Sequence, residues 1–208
     1  MTVPGGNSSA VYRDSRDPWS LASPWYDQRK FDVTLAALPK ARYRRAYHPG
    51  CSSGVLSARL AERCGELLSS DREPSAVAAT AARLRGLPGT RAEVIDVPDE
   101  WPEESFDLIV LSELLYRFDV PALGRLLERA AGSLVPGGNL VAVHWRHPEP
   151  EHLQTAEAAH SAVHAIAGLE TVVRHDEADF LLEVFVRADG EDGDSPALYS
   201  VAAAEGLI

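Results

Sequence analysis

The chain has 208 residues, 45% of them hydrophobic and 25% charged, with a formal net charge of −11; that is enough for one domain with a sizeable core and too few for two ordinary ones. The acidic balance argues against DNA or RNA as the main partner, because a duplex binder needs a cationic surface to displace counterions. Cys51 and Cys64 form no CxxC pair and no zinc spacing, the polar N-terminus lacks a signal-peptide core, and no apolar run reaches bilayer length, so the expectation is a cytoplasmic chain with no disulfide framework, no metal and no membrane partner.

Residues 1–16 read as disordered, and residues 17–187 as a single domain. Within it, residues 17–40 carry Trp19, Trp25, Tyr26 and Phe31, and Phe31, Leu35 and Leu38 fall on one helical face before Pro39 ends the turn. So aromatic a segment ahead of the main fold is expected to pack as a helical lid. Strands are expected at 43–47, 66–70, 92–97, 106–111 and 140–145, alternating with helices at 55–64, 74–85 and from the cap Asp119 to the Pro136-Gly137-Gly138 stop. A helix from Thr155 to Ile166 precedes two terminal strands, 169–175 and 179–187, joined by a short turn. Residues 188–208 read as a loose acidic tail. Alternating strands and helices imply right-handed crossovers, so the expected fold is α/β: a Rossmann-like three-layer sandwich whose mostly parallel sheet ends in an antiparallel hairpin.

In such a sheet, ligands bind beyond the carboxyl ends of the strands. The first strand turns at His48-Pro49-Gly50-Cys51-Ser52-Ser53-Gly54. A dinucleotide fingerprint needs glycine at 50, 52 and 55, where the chain has Gly50, Ser52 and Val55. The looser spacing suits S-adenosylmethionine, which has no pyrophosphate to cradle. Asp71 closes the second strand about twenty residues past Gly50, where a carboxylate accepts from a vicinal diol, or merely caps the next helix. Asp96 and Val97 stand where an adenine would be held, or in an ordinary turn before Pro98. The fourth strand runs into Ser112-Glu113-Leu114-Leu115-Tyr116. Glu113 there attracts an ammonium, or answers the positive end of a helix, and Tyr116 shapes the pocket.

Several segments together resemble the class I S-adenosylmethionine-dependent methyltransferases, and more narrowly the nodulation protein S family, which N-methylates the amino sugar of a chito-oligosaccharide. They are Asp17-Pro18-Trp19, Tyr26-Asp27-Gln28-Arg29-Lys30-Phe31, Gly50-Cys51-Ser52-Ser53-Gly54, Trp101-Pro102, the run from Phe106 to Tyr116, Pro136-Gly137-Gly138 and His144-Trp145-Arg146. The resemblance implies a cofactor set of Tyr26, Lys30, Gly50, Cys51, Gly54, Asp71, Arg72, Asp96, Val97 and Ser112. It places His144 and Trp145 on the substrate side. His160 joins them through a worn Thr-x-x-x-x-His stretch starting at Thr155. The expected catalytic set is Glu113, Tyr116, His144 and His160, with one histidine taking the proton of an attacking amine. Trp19, Trp25 and Trp145 either wall a sugar or pack the lid.

One position departs from the family. Where the resemblance implies an acid that holds the methionine ammonium, the chain has His48. A protonated ring repels that ammonium and a neutral one accepts from it. The expected partner is a small molecule, an amino sugar or other amine, an oligosaccharide included. Three other readings stay open: an O-methyltransferase, a nucleoside-binding module without catalysis, and an NAD-dependent dehydrogenase that lacks the fingerprint. Oligomeric state is not addressed by the sequence.

Overall fold

The computed structural model describes residues 25–188 and 199–208. The expectations for residues 1–16 and for Trp19 lie outside them. The elements in chain order are α1 (Trp25–Ala36), β1 (Tyr43–Pro49), α2 (Val55–Ala61), β2 (Cys64–Asp71), α3 (Pro74–Arg83), β3 (Thr90–Val94) and β4 (Phe106–Ser112). A 3-10 turn (Leu115–Arg117) follows, then α4 (Val120–Ser133), β5 (Leu134–Trp145), α5 (Ala156–His164), β6 (Leu169–Asp176), β7 (Phe180–Arg187) and a short α6 (Val201–Ala204). The strands form one sheet in the order β3-β2-β1-β4-β5-β7-β6. The first five run parallel, and β7 pairs antiparallel with both β5 and β6. This is the expected three-layer α/β fold.

Two hydrophobic layers account for it. In β4, Leu108 and Val110 face the layer of Phe31, Leu56 and Leu60, contributed by α1 and α2. Ile109 and Leu111 face the layer of Leu123, Leu126, Leu127 and Val163, contributed by α4 and α5. A strand buried on both faces has no polar side to show, which is why its sequence is nearly continuous in apolar residues. Caps set the helix starts. The Asp119 carboxylate accepts from the Ala122 N–H, and the Thr155 hydroxyl from the Ala158 N–H.

The order reverses between β1 and β4, whose adjacent C-terminal ends open the switch-point crevice. Helix α1 is pinned beside it. Arg59 of α2 bonds Gln28 and Asp32 and lies over the Phe31 ring at 5.6 Å. Trp25, at the start of α1, is 74% exposed and walls nothing among the described residues.

Boundaries differ from expectation where tertiary packing overrides local signals. Pro136-Gly137-Gly138 does not follow the end of α4 as a separate stop; it runs inside β5, which already pairs at Phe106↔Leu134 and shifts register before Leu108↔Asn139. A Cβ at Gly138 would stand 2.8 Å from the Val135 carbonyl oxygen, so the irregularity needs glycine. β3 covers Thr90–Val94 rather than 92–97. Gly89 lies so close to the backbone of Gly65 that pairing starts at once, and Asp96 has already left the strand. The tail expected to be loose contains a helical turn at Val201–Ala204, capped by Ser200.

Gly54 closes the first turn at φ +76°, and a Cβ there would meet Thr80 Oγ1 at 2.8 Å and Thr80 Cα at 2.9 Å. Gly54→Ala therefore combines backbone strain with a clash and should destabilise by about 2–3 kcal/mol. Gly86→Ala, at φ +87° in open space, should lose only about 1 kcal/mol. Urea unfolding of the two variants checks the difference.

Candidate functional site

The loop after β1 is wound by three left-handed residues, Gly50, Ser52 and Gly54. Its backbone is held from several sides. Cys51 N donates to the Ser70 carbonyl at 2.9 Å, the Thr80 hydroxyl donates to the Ser52 carbonyl at 2.9 Å, and Arg83 donates to the Ser53 carbonyl. Asp71, at the end of β2, accepts from Ser52 N on one carboxylate oxygen and from Glu73 N on the other, both at 3.0 Å. Burial pushes its carboxyl pKa upward, against the pull of those two N–H groups. Each oxygen keeps a lone pair for a ligand. Cys51 is buried, and burial raises its thiol to about 12, so it serves here as a small apolar wall. Ser112 is buried at the end of β4. Asp96 is exposed two residues beyond β3, Val97 packs on the core, and Arg72 is largely exposed beside Glu73. The structure thus gathers Gly50, Cys51, Gly54, Asp71 and Ser112 along one crevice, with Asp96 and Val97 at its β3 end.

His48 is fully buried and its pKa is lowered to about 4 by burial alone. Its Nδ1 lies 2.9 Å from Ser57 Oγ, which also accepts from the Ser69 hydroxyl at 3.0 Å. The ring is therefore neutral near pH 7 and does not repel an ammonium as a protonated ring would.

Glu113, just past β4, has φ +54°, a conformation costly for a residue with a side chain. Its carboxylate accepts from Lys30 Nζ at 2.9 Å, from the Tyr116 hydroxyl, and from Trp145 N at 3.2 Å. Lys30 also neighbours Asp27 at 3.6 Å and stands 5.0 Å from the centre of the Tyr26 ring. Tyr26 meets Trp145 edge-on at 5.0 Å, and its hydroxyl is buried with no hydrogen-bond partner among the described residues. The expected Tyr26, Lys30, Glu113 and Tyr116 therefore form one cluster, tying α1 to the ends of β4 and β5. A cavity of about 230 Å³ adjoins it, lined by Trp145, His147, Glu149, His152, Gln154 and Thr155.

His144 and His160 are placed otherwise. Both are buried, and His144 Nε2 accepts from the Leu115 backbone N–H at 3.1 Å. Neither ring offers a nitrogen to the crevice, so the assignment of either as the proton acceptor gives way to a role inside the fold. The residue that the sequence reading missed is His152. It stacks on Tyr116 with ring centres 3.7 Å apart and lines the cavity. Burial, followed by the charge of Arg117, lowers its pKa, so it is neutral near pH 7. It stands in an irregular loop where no periodicity could mark it.

Comparison with known proteins accords with this layout. A Pseudomonas syringae protein provisionally assigned as a methyltransferase has a crystal structure that is 41% identical in sequence, with a TM-score of 0.70, matching 79% of this chain and 100% of that one. The chain belongs to the class I S-adenosylmethionine-dependent methyltransferases. The methyltransferase domain family model matches residues 48–140 of this chain, from the Gly-rich turn into β5. Nodulation protein S of Rhizobium tropici is 32% identical over 127 residues, 60% of this chain; the chain spans about half, 53%, of that relative's length. The fold of the N-methyltransferase NodS from Bradyrhizobium japonicum, solved with S-adenosyl-L-homocysteine, superposes at a TM-score of 0.78 with 23% identity, over 87% of this chain and 96% of NodS.

Proposed function

We propose that this chain transfers a methyl group from S-adenosylmethionine to the nitrogen of a small-molecule amine, with amino sugars as the favoured class. The observation that carries the reading is the Glu113 carboxylate. It is held at the switch-point crevice in a strained backbone, already neutralises one ammonium, Lys30, and keeps about a quarter of its side chain exposed.

The residues present fit the cofactor. Asp71 offers lone pairs to a ribose, the Gly50–Gly54 loop lets backbone approach, and Asp96 with Val97 borders the adenine end. The unpartnered Tyr26 hydroxyl is a donor that a ligand's polar atom would satisfy. Lys30, Arg72, Cys51 and Ser112 complete that set. S-adenosylmethionine supplies a sulfonium-bound methyl group open to in-line attack. The protein's task is then to place a nitrogen on that axis about 3 Å from the carbon. Glu113 orients the amine and Tyr116 bounds it. His152, neutral near pH 7, takes the proton that the amine must lose. Trp145 and Tyr26 supply aromatic faces for a sugar ring.

Calorimetry with S-adenosylmethionine and with NAD tests the cofactor, and S-adenosylhomocysteine release tests the acceptor, with glucosamine against N-acetylglucosamine. We expect micromolar binding of S-adenosylmethionine, none of NAD, and turnover only with the free amine. Equal turnover with N-acetylglucosamine would mean O-methylation. No binding at millimolar S-adenosylmethionine would favour the second reading, a module without catalysis, for which His48 in place of the acid implied by the resemblance is the observation.

A further inference from the structure

Behind the crevice runs a chain of buried polar groups with no access to a substrate. Leu115 N–H donates to His144 Nε2 at 3.1 Å, His144 Nδ1 lies 3.0 Å from His160 Nε2, and His160 Nδ1 lies 2.7 Å from Glu183 Oε2. His144 and Glu183 are wholly buried and His160 nearly so. At the outer end, His164 and Arg174 reach Glu183 Oε1 at 3.0 and 3.1 Å.

Only one arrangement of protons satisfies this chain. His144 Nε2 receives an N–H and carries no proton, so the ring's single proton is on Nδ1. That proton points at His160 Nε2, which must accept it. His160 then carries its own proton on Nδ1 and donates it to the Glu183 carboxylate. Reversing any one link would set two donors or two bare lone pairs against each other in a dry interior, at a cost no folded chain tolerates cheaply.

We infer that Glu183, His160 and His144 are positioning residues whose locked sequence of donors fixes the Leu115 amide, and with it the turn that presents Glu113 and Tyr116 to the acceptor. Four elements contribute: β7 holds Glu183, α5 His160, β5 His144, and the 3-10 turn Leu115. The turn's own sequence explains the need. Glu113 is left-handed and Leu114 returns to the right-handed region, so the chain reverses hand within two residues. The Leu115 amide comes too early in the turn to find an intrahelical acceptor, and the His144 ring supplies one. Strain at Glu113 is thereby opposed by a side chain from the neighbouring strand. The inference rests on the methyl-transfer reading for what the turn is for, and on hydrogen-bond geometry alone for how it is held.

The test needs neither cofactor nor acceptor, so it stands apart from the test of function. Long-range proton–nitrogen NMR of the full chain at pH 7 should show both His144 and His160 protonated at Nδ1. A proton on His144 Nε2 would overturn the inference, and this measurement uses the unaltered protein. Leu115 amide exchange should quicken at least a hundredfold in His144→Leu. In His144→Gln, whose side-chain oxygen can replace the acceptor, it should return to within tenfold of the original, while Ile109 in β4 stays protected in all three. Unchanged Leu115 exchange in a folded His144→Leu protein would equally overturn it.

Discussion

Replacing Asp71 with alanine is expected to weaken S-adenosylhomocysteine binding by about a hundredfold or more. In the proposed role the carboxylate acts twice. It fixes the Ser52 and Glu73 amides at 3.0 Å each, which sets the shape of the Gly50–Gly54 loop, and its remaining lone pairs receive ribose hydroxyls. Hydrogen bonds to a charged group contribute roughly 1.5–3 kcal/mol each, and a hundredfold in affinity is about 2.7 kcal/mol, so losing two ribose bonds suffices. Asp71→Asn separates the two actions. It can keep one acceptor, but its amide nitrogen would oppose an N–H on the other side, so its affinity should fall between those of wild type and alanine. Calorimetry checks the series. Affinity within threefold of wild type for Asp71→Ala would remove the ribose role.

The second large effect is on stability in acid. The His48 ring has an ordinary pKa of 6.5 in the unfolded chain and about 4 when folded, because burial disfavours the cation. As pH drops below 6.5 the unfolded state takes up a proton that the folded state refuses until about pH 4. His48 therefore contributes stability that is whole above pH 6.5 and lost on the way down, about 3 kcal/mol by pH 4. His144 is pushed well down by burial and then by its neighbour His160, and adds loss in the same sense. Asp71, pushed up, works the other way. Urea unfolding at pH 7 and pH 5 should differ by about 2 kcal/mol from His48 alone. The pH slope should shrink in His48→Gln; an unchanged slope in that variant would mean that the ring is not the source.

What the sequence made legible follows from which signals are local. The strand and helix order was readable because β4 is apolar throughout and α4 repeats Leu123, Leu126, Leu127 and Ala130 on one face. The positions of Gly50, Gly54 and Asp71 at the switch point are readable because they follow strand ends, while their role there belongs to the proposal. Pro136-Gly137-Gly138 misled because glycine and proline mark both loops and bulges, and only the partner strand decides between them. The histidines misled for a deeper reason. Residue type gives the pKa range of an imidazole, whereas its work depends on what meets each nitrogen. His144 meets an amide from 29 residues upstream and His160 a carboxylate from β7. His48 is a similar case: burial keeps its ring neutral, and its Nδ1 meets Ser57 of α2.

The left-handed backbone at Glu113 also constrains how this protein can change over time. A non-glycine residue in that conformation forgoes about 1–3 kcal/mol, so unconstrained drift would carry the position toward glycine or asparagine. Either step would leave Lys30 facing the crevice without its main counter-charge, and a branched side chain would lose the backbone fit as well. The position has few neighbouring sequences to move to. A lineage that keeps glutamate there is retaining an anion against the pull of its own backbone, whereas one that has abandoned chemistry on amines would be expected to let it go early.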